Sequence, residues 1–271
     1  MKWFEQHKNF QLGDFIMLTS GLKALSELWK SPVNVFFNTP VVKDLYLDCD
    51  FINILRKRPS TRPFESSIFS SYNHGNYRPK RRSKTESMQS CFFRFMTKGK
   101  GYISDMPHTY VDSPNSKVLN RDEDKKYIAL FHGCLGKLFI PKKSIPALSL
   151  DFMVQEVIRR GFVPVVLGSS SDAKRFWRKV DLGNSEIINY VGQLSIRDSV
   201  SVLSQCDAFV SNDTGLFHVA GALRKEGLIL WNNTDHFKNA PSYTGITQFF
   251  GKGKSHKDYN NAISSYLKGL S

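Results

Sequence analysis

Residues 194–223 read LSIRDSVSVLSQCDAFVSNDTGLFHVAGAL, and this stretch decides the fold class. The short apolar run at 208–210 predicts a buried strand, and the sequence that starts at Gly215 predicts a helix. Ser195 suits the N-cap of another helix, which precedes the strand. The order helix, strand, turn and helix is typical of α/β proteins.

The same alternation continues on both sides of this stretch. Apolar segments predict further strands at 127–132, 162–167, 187–191 and 228–230. Helices are predicted at 150–160 and 172–180, although Pro164 removes a ladder hydrogen bond from one of the predicted strands. Alternating strands and helices form a parallel, doubly wound sheet, which binds ligands at the carboxyl ends of its strands.

The N-terminal half predicts a smaller set of elements. A helix is expected at 13–28, and strands are expected at 33–37 and 51–55. The polar stretch 112–126, DSPNSKVLNRDEDKK, is rich in turn formers and charge and predicts a linker between domains. We therefore expect two α/β domains, an N-terminal lobe at 1–120 and a C-terminal lobe at 121–271.

The charge of the chain is strongly positive and unevenly placed. Its 271 residues contain 38 lysines and arginines against 24 acidic residues, a formal net charge of +14. Within 74–100, lysine and arginine alternate with aromatic residues, and the only acid is Glu86. That pattern suits a phosphate backbone with exposed bases, although a solvated charged loop explains it equally well. The candidate acceptor-binding residues are Arg78, Lys80, Arg81, Arg82 and Lys84.

Several classes of protein are excluded by what the sequence lacks. No apolar run reaches the ~18–20 residues of a membrane-spanning helix, and the first residues do not resemble a signal peptide. The four cysteines are scattered without a C-x-x-C pair, which argues against a zinc ribbon or a disulfide framework. No G-x-G-x-x-G follows a predicted strand, which disfavours a dehydrogenase. A cytoplasmic location is expected, in the host cytoplasm if the chain is encoded by a phage.

The strongest chemical signal is the turn Asp213-Thr214-Gly215 at the start of a predicted helix. The first N–H groups of a helix lack partners within it and carry partial positive charge, so they bind phosphate well. Gly215 allows a ligand to approach the backbone, and His218 shares a helix face with Thr214. The alternative is that Asp213 only caps the helix and His218 is a packed core residue.

This segment resembles the donor site of the heptosyltransferase family of GT-B glycosyltransferases, in which D-T/S-G-x-x-H binds a nucleotide-sugar diphosphate. The sequence at 143–146, KSIP, is similar to the family's K-x-W-P, with Ile145 in place of the tryptophan. Near the N-terminus, Leu12-Gly13-Asp14 resembles the family's L-G-D segment. The resemblance is good over 11–30 and 127–235 and weak over about 56–120.

The resemblance implies a GT-B-like fold of two Rossmann-like lobes with a cleft between them. It also implies an inverting glycosyltransferase that uses a nucleotide-sugar co-substrate and needs neither a metal nor another cofactor. Asp14 would be the general base, unless it only caps the following helix. The expected donor diphosphate-binding residues are Lys143, Asp213, Thr214, Gly215, Leu216 and His218. Lys137 and Lys142 compete with Lys143 for the phosphate.

The sequence indicates a polyanionic acceptor but does not decide which polyanion it is. Hydroxymethylated phage DNA is slightly favoured, because the charge is large and the acceptor lobe departs most from the family; the target base would then leave the stack. The alternatives are a phosphorylated lipopolysaccharide core and an inactive GT-B module that only binds nucleic acid. Asp48-Cys49-Asp50 matches the D-x-D of metal-dependent transferases, but D-x-D is common by chance.

Overall fold

The computed structural model describes residues 2–6, 12–61, 63, 87–98, 106–114, 118–133, 143–234 and 243–271. The chain forms two compact units, which divide between Asp112 and Ser113. Each unit contains its own parallel sheet. In the part of the chain that is described, no helix has the length and apolar character needed to cross a bilayer.

The first unit is built on a three-stranded parallel sheet in the order β1-β2-β3. The strands are β1 (Trp3–Gln6), β2 (Val33–Phe37) and β3 (Ile52–Ile54), and the helices described are α1 (Leu12–Trp29), α2 (Pro40–Asp44) and α3 (Met88–Met96). The predicted helix at 13–28 and the predicted strands at 33–37 and 51–55 are thus present. β1, α2 and α3 were not predicted.

Helix α3 corrects the interpretation of the aromatic residues in the basic segment. Phe92 and Phe93 are buried, at 1% and 2% exposure. The helix packs closely on α1, since a Cβ placed on Gly21 would lie 3.0 Å from Met96 Cγ. Ser87 caps α3 by accepting a hydrogen bond from the Ser90 amide at 3.1 Å. These two phenylalanines belong to the core and are not available to stack on bases.

The second unit is built on a six-stranded parallel sheet in the order β6-β5-β4-β7-β8-β9. The strands are β4 (Tyr127–Phe131), β5 (Val163–Leu167), β6 (Ile188–Asn189), β7 (Ala208–Asn212), β8 (Gly227–Trp231) and β9 (Ile246–Phe250). The helices described are α4 (Ala147–Arg159), α5 (Ser170–Arg175), α6 (Ile196–Gln205), α7 (Gly215–Ala222) and α8 (His256–Leu270), with a 3₁₀ turn at Trp177–Lys179. This is the strand order 3-2-1-4-5-6 of dinucleotide-binding sheets.

Pro164 is tolerated inside this sheet because of where β6 begins. The Val163 amide donates to the Lys126 carbonyl on the β4 side, so the ring nitrogen of Pro164 points to the other side. There, β6 first pairs at Ile188, opposite Val165. No ladder hydrogen bond is therefore lost at the proline.

An apolar core of the second unit lies between its sheet and the helices α4 and α8. All five residues of β4, β7 and β8 are buried. Val154 and Val157 of α4 and Ile263 and Leu267 of α8 pack in the same cluster. Ser195 caps α6 as predicted, since its hydroxyl accepts a hydrogen bond from the Asp198 amide at 3.1 Å. This core fixes the strand ends that carry the candidate site.

Candidate functional site

The candidate site lies at the carboxyl ends of β4 and β7, the two central strands of the larger sheet. The strand order runs outward in opposite directions from this pair, which makes it the point where such sheets open a crevice for ligands. His132 and Gly133 follow β4, and Asp213 follows β7. Of these residues the sequence analysis named only Asp213, and the sheet places all three at one edge.

Lys143 and Asp213 form an ion pair at this edge. The lysine Nζ lies 2.7 Å from Asp213 Oδ2, and the two side chains are 23% and 3% exposed. The two residues are 70 positions apart in the sequence, and both were predicted to serve the same anion. A nearly buried carboxylate thus holds a lysine whose side chain is still partly exposed. Lys137 and Lys142 lie outside the described residues.

Helix α7 opens directly beside this pair. Thr214 is its N-cap residue, and the Thr214 side chain makes no capping hydrogen bond. Thr214, Gly215 and Leu216 are all partly exposed. The first amides of a helix have no partner inside it, so this end can donate hydrogen bonds to an anion.

His218 lies one turn into α7 and is buried against Tyr243. Its Nδ1 lies 3.2 Å from the Tyr243 hydroxyl, which donates to the His218 carbonyl at 3.3 Å. Burial lowers the pKa of His218 to about 4, although the Asp213 carboxylate opposes this and Lys143 adds to it. The distance from His218 Nε2 to Asp213 Oδ1 is 4.0 Å. The imidazole is therefore neutral and packs in the core next to the Asp213 carboxylate.

His132 is the other buried histidine of the site. Its Nε2 accepts a hydrogen bond from the Ile145 amide at 3.1 Å, and its ring packs edge-on against Phe176 at 4.3 Å. Burial lowers its pKa to about 3, so the ring is neutral and carries its proton on Nδ1. Among the described residues, that Nδ1 has no hydrogen-bond partner.

Asp172 is a residue of this edge that the sequence analysis missed. It follows β5 at the start of α5, and its Oδ2 accepts hydrogen bonds from the Ser169 amide and hydroxyl at 2.8 Å and 2.7 Å. Its Oδ1 has no partner among the described residues and faces Gly133, where a Cβ would lie only 2.8 Å away. Burial raises the pKa of this carboxyl. A signal was available in the sequence, since an acidic residue commonly follows the second strand of such a sheet.

Asp14, the predicted general base, belongs to the first unit. It is the third residue of α1 and is partly exposed, in the first turn of the helix and not in a turn before it. A negative charge in the first turn also stabilises the helix through its dipole. The five predicted acceptor-binding residues, Arg78, Lys80, Arg81, Arg82 and Lys84, lie outside the described residues.

Two other sequence patterns have structural explanations. In Asp48-Cys49-Asp50 the cysteine is buried and the two acids are exposed, and the described residues contain no group of three or more ligands that could hold a metal. The sequence at 251–255, GKGKS, resembles the end of a P-loop, but Gln248 stands where the earlier glycine is required. There the Tyr259 hydroxyl occupies the space beside Gly251, and Ser255 caps α8. The space beside Gly251 is therefore occupied by a side chain of α8, the helix that follows the loop.

A cavity of about 690 Å³ lies at the opposite, amino-terminal edge of the large sheet. Among the residues of the described ranges, it is lined by Val118, Leu119, Asn120, Arg121, Glu123 and Gln205. None of the predicted site residues lines it, so the candidate site rests on the strand ends and not on this cavity.

Comparison with known proteins identifies the family to which this chain belongs. Residues 83–264 match the model of glycosyltransferase family 9 (heptosyltransferase). Because the match covers more than half of the chain, this protein belongs to that family. The predicted family resemblance and the class glycosyltransferase are confirmed.

Curated relatives match a shorter region. The lipooligosaccharide heptosyltransferase 2 of Haemophilus ducreyi is 33% identical over 118 residues, which cover 41% of this chain and 32% of the relative. The lipopolysaccharide heptosyltransferase 2 of Salmonella typhimurium is 30% identical over 102 residues, which cover 36% and 29%. In these alignments the chain spans about a third of the length of the relatives that it matches.

Solved structures match the whole chain in fold. An E. coli ADP-heptose lipopolysaccharide heptosyltransferase II aligns with a TM-score of 0.74 and 15% identity, covering 100% of this chain and 98% of the other. A family 9 glycosyltransferase from Veillonella parvula aligns with a TM-score of 0.75 and 12% identity, covering 98% and 96%. The predicted α/β fold of the GT-B type is confirmed.

Proposed function

We propose that this protein is an inverting, metal-independent glycosyltransferase that moves a sugar from a nucleoside diphosphate to a hydroxyl group of a lipopolysaccharide core. The observation that carries the proposal is the Lys143–Asp213 ion pair beside the opening of α7, in a chain of glycosyltransferase family 9. A cation and several backbone amides beside the end of a strand stabilise the negative charge of a departing diphosphate.

The donor diphosphate is the part of the substrate that these groups serve. Negative charge grows on the leaving diphosphate as its bond to the sugar breaks. The Lys143 ammonium and the amides of Thr214, Gly215 and Leu216 stabilise that charge, while Asp213 keeps the lysine directed at the site. A cation already in place needs little reorganisation during the reaction.

In this proposal the donor nucleoside binds on the β5 side of the same edge. In doubly wound sheets an acidic residue after the second strand hydrogen-bonds the ribose hydroxyls, and Asp172 stands at that position with one oxygen unpaired. Solved relatives carry ADP or an ADP-linked fluorinated heptose. We therefore favour an ADP-linked heptose as the donor.

The acceptor hydroxyl must lose its proton as it attacks the anomeric carbon. In this proposal Asp14 takes that proton, and the hydroxyl oxygen forms the new bond to carbon while the diphosphate leaves with the electrons of the old one. A single displacement of this kind inverts the configuration at the anomeric carbon. No metal ion is required, because Lys143 and the helix amides carry the charge of the leaving group.

The acceptor in this proposal is a phosphorylated lipopolysaccharide core, and DNA is the less favoured alternative. The curated relatives are named for lipopolysaccharide or lipooligosaccharide heptosyl transfer. Phe92 and Phe93, which suggested base stacking, are buried in the core. The high positive charge of the chain suits core phosphates as well as a nucleic acid. The proposal includes the cytoplasmic location that is expected from the sequence.

Mass spectrometry of the products tests the proposal. The full chain is incubated with ADP-heptose or a panel of other nucleotide sugars, and with either a truncated lipopolysaccharide core or hydroxymethylated DNA, with and without a chelator. We expect one sugar to be added to the lipopolysaccharide core, at a rate that the chelator does not change. Transfer to DNA would reverse the choice of acceptor, and donor binding without any transfer would identify an inactive module.

An Asp14→Ala variant tests the general base. We expect turnover to fall by about 10²–10⁴-fold while donor binding and the fold are retained. Asp50→Asn is the matched control, since this exposed acid lies in the same unit and in the D-x-D pattern. Equal activity of Asp14→Ala and wild type would remove Asp14 from the mechanism.

A further inference from the structure

We propose that Asn212 is a positioning residue that holds the backbone of Lys143 so that its ammonium faces the donor diphosphate; this inference rests on the proposed function. Asn212 is the last residue of β7 and precedes Asp213, the partner of the lysine side chain. The Asn212 carboxamide acts on the proximal end of Lys143, and the Asp213 carboxylate acts on its distal end.

The Asn212 side chain is buried and joins two separate segments of backbone. Its Nδ2 donates to the Gly133 carbonyl at 3.1 Å and to the Lys143 carbonyl at 3.0 Å. Its Oδ1 accepts from the Gly133 amide at 3.2 Å. Gly133 and Lys143 are ten positions apart, so one carboxamide anchors both ends of the connection that leaves β4.

Two further side chains hold the residues next to Lys143. Asn232, just after β8, donates from Nδ2 to the Ser144 carbonyl at 2.6 Å. His132, just after β4, accepts from the Ile145 amide at 3.1 Å. The backbone of three consecutive residues, 143–145, is therefore bonded to side chains from the ends of three different strands.

This arrangement matters because a lysine side chain is long and flexible. Its ammonium is a point charge on a four-carbon stem, so it stabilises a phosphate well only if the stem starts in the right place. The bonds from Asn212 to Gly133 would suffice to join β4 to β7. The additional bond to the Lys143 carbonyl is the one that connects Asn212 to the charge in the site.

A double-mutant cycle separates positioning from a purely structural role. Binding of ADP and of inorganic pyrophosphate to the full chain is measured by titration calorimetry for wild type, Asn212→Ala, Lys143→Ala and the double variant. We expect Lys143→Ala to weaken binding by about tenfold or more, and Asn212→Ala by about fivefold to tenfold. In the Lys143→Ala background, Asn212→Ala should cost less than about twofold, since there is no ammonium left to position.

The same fold-loss from Asn212→Ala in both backgrounds would overturn the proposal, because the residue would then act without Lys143. Wild-type affinity in Lys143→Ala would also overturn it, while leaving sugar transfer possible through other groups. A wild-type chain that binds no nucleoside diphosphate and no pyrophosphate would overturn this inference together with the proposed function.

Two more variants keep the test decisive if Asn212→Ala does not fold. Asn232 is only partly buried, so Asn232→Ala should fold, weaken pyrophosphate binding about twofold to fivefold, and have no effect in the Lys143→Ala background. Additive losses would count against positioning.

Asn189→Ala is the matched control. This asparagine ends β6 of the same sheet and accepts a local hydrogen bond from the Val191 amide at 3.0 Å. It should bind both probes as wild type does.

Discussion

The two edges of the six-stranded sheet use polar residues in different ways. At the amino-terminal edge, Arg121 donates to both Asp207 oxygens at 3.1 Å and 3.0 Å and to the Gln205 carbonyl. The Tyr127 amide donates to Asp207 Oδ2 at 2.7 Å, and the Lys225 ammonium donates to the Cys206 carbonyl at 2.7 Å. Each of these charged groups is paired with another charged group or with the backbone. Arg121 thereby joins the segment that precedes β4 to the start of β7.

At the carboxyl-terminal edge, the polar residues are more deeply buried but less completely bonded. Within the described ranges, the buried atoms without a hydrogen-bond partner include His132 Nδ1, Ser144 Oγ, Asp172 Oδ1 and Thr234 Oγ1. A buried polar atom without a partner costs about 1–3 kcal/mol, so such a cluster is expected only where another requirement opposes stability. We therefore infer that the amino-terminal edge serves stability, and we expect the carboxyl-terminal edge to bind a ligand.

The largest expected effect comes from matched alanine substitutions at the two edges. Lys143→Ala should lower the affinity for ADP by about 10- to 100-fold, because it removes a charge-assisted contact to phosphate. Arg121→Ala should leave that affinity unchanged and lower the free energy of unfolding by about 1 kcal/mol. Calorimetric titration with ADP and urea unfolding measure the two quantities. Loss of ADP binding in Arg121→Ala would contradict the division between the edges.

A second prediction concerns pH and the buried histidine of the carboxyl-terminal edge. Burial lowers the pKa of His132 to about 3 from 6.5, so the unfolded chain binds a proton below pH 6.5 that the folded chain does not. The free energy of unfolding should therefore fall as the pH drops from 6.5, by about 2 kcal/mol at pH 5 from this residue. His132→Gln keeps an acceptor for the Ile145 amide and should remove that part of the decline. Urea unfolding at pH 7 and pH 5 measures it, and parallel pH profiles for the two proteins would contradict the prediction.

The smallest effect is expected from Asp172→Asn, which tests whether this edge gives up stability for binding. Burial raises the pKa of Asp172, so its ionisation destabilises the fold as the pH rises above 3.8. The Asp172→Asn variant keeps an acceptor for Ser169 and should be more stable than wild type at pH 7. ADP should bind more weakly to it, while pyrophosphate should bind unchanged.

Asp258→Asn is the matched control for this substitution. Asp258 caps α8 through Ser255 in the same way, but it is partly exposed and its hydrogen bonds to Ser255 lower its pKa. The stability of this variant should fall and not rise. A gain in stability from both substitutions would show that the effect does not come from burial of the Asp172 carboxylate.

Much of the larger sheet could be predicted from the sequence because its strands are short apolar runs that end at turn residues. β7 and α7 follow from 208–210 and Gly215. The anion site stays a prediction, which rests on the rule that helix amides bind phosphate. The role of Lys143 remains a prediction, but its pairing with Asp213 shows that the two residues named for one anion lie together.

Other features could not be predicted, because they depend on contacts between distant parts of the chain. Nothing near Asn212 in the sequence indicates that it bonds the carbonyl of Lys143, 69 positions away. The amphipathic pattern of α3 was not recognised, because the segment around it is rich in lysine and arginine. The helix is buried because it packs in the space beside Gly21 of α1. Tyr243 has no local signal, and only the fold places its ring against Gly221 and His218.

The central position of β4 has a consequence for synthesis of the chain. Its five residues are buried, and it pairs with β5 on one side and with β7 on the other, where Ile128 lies opposite Ala208. The ribosome must add 80 residues after Ile128 before that second neighbour exists, which takes about 4–16 s at ~5–20 residues per second. During that interval one edge of an apolar strand is open to pairing with other nascent chains. Expression at lower temperature or with a holdase chaperone should therefore raise the yield of folded protein.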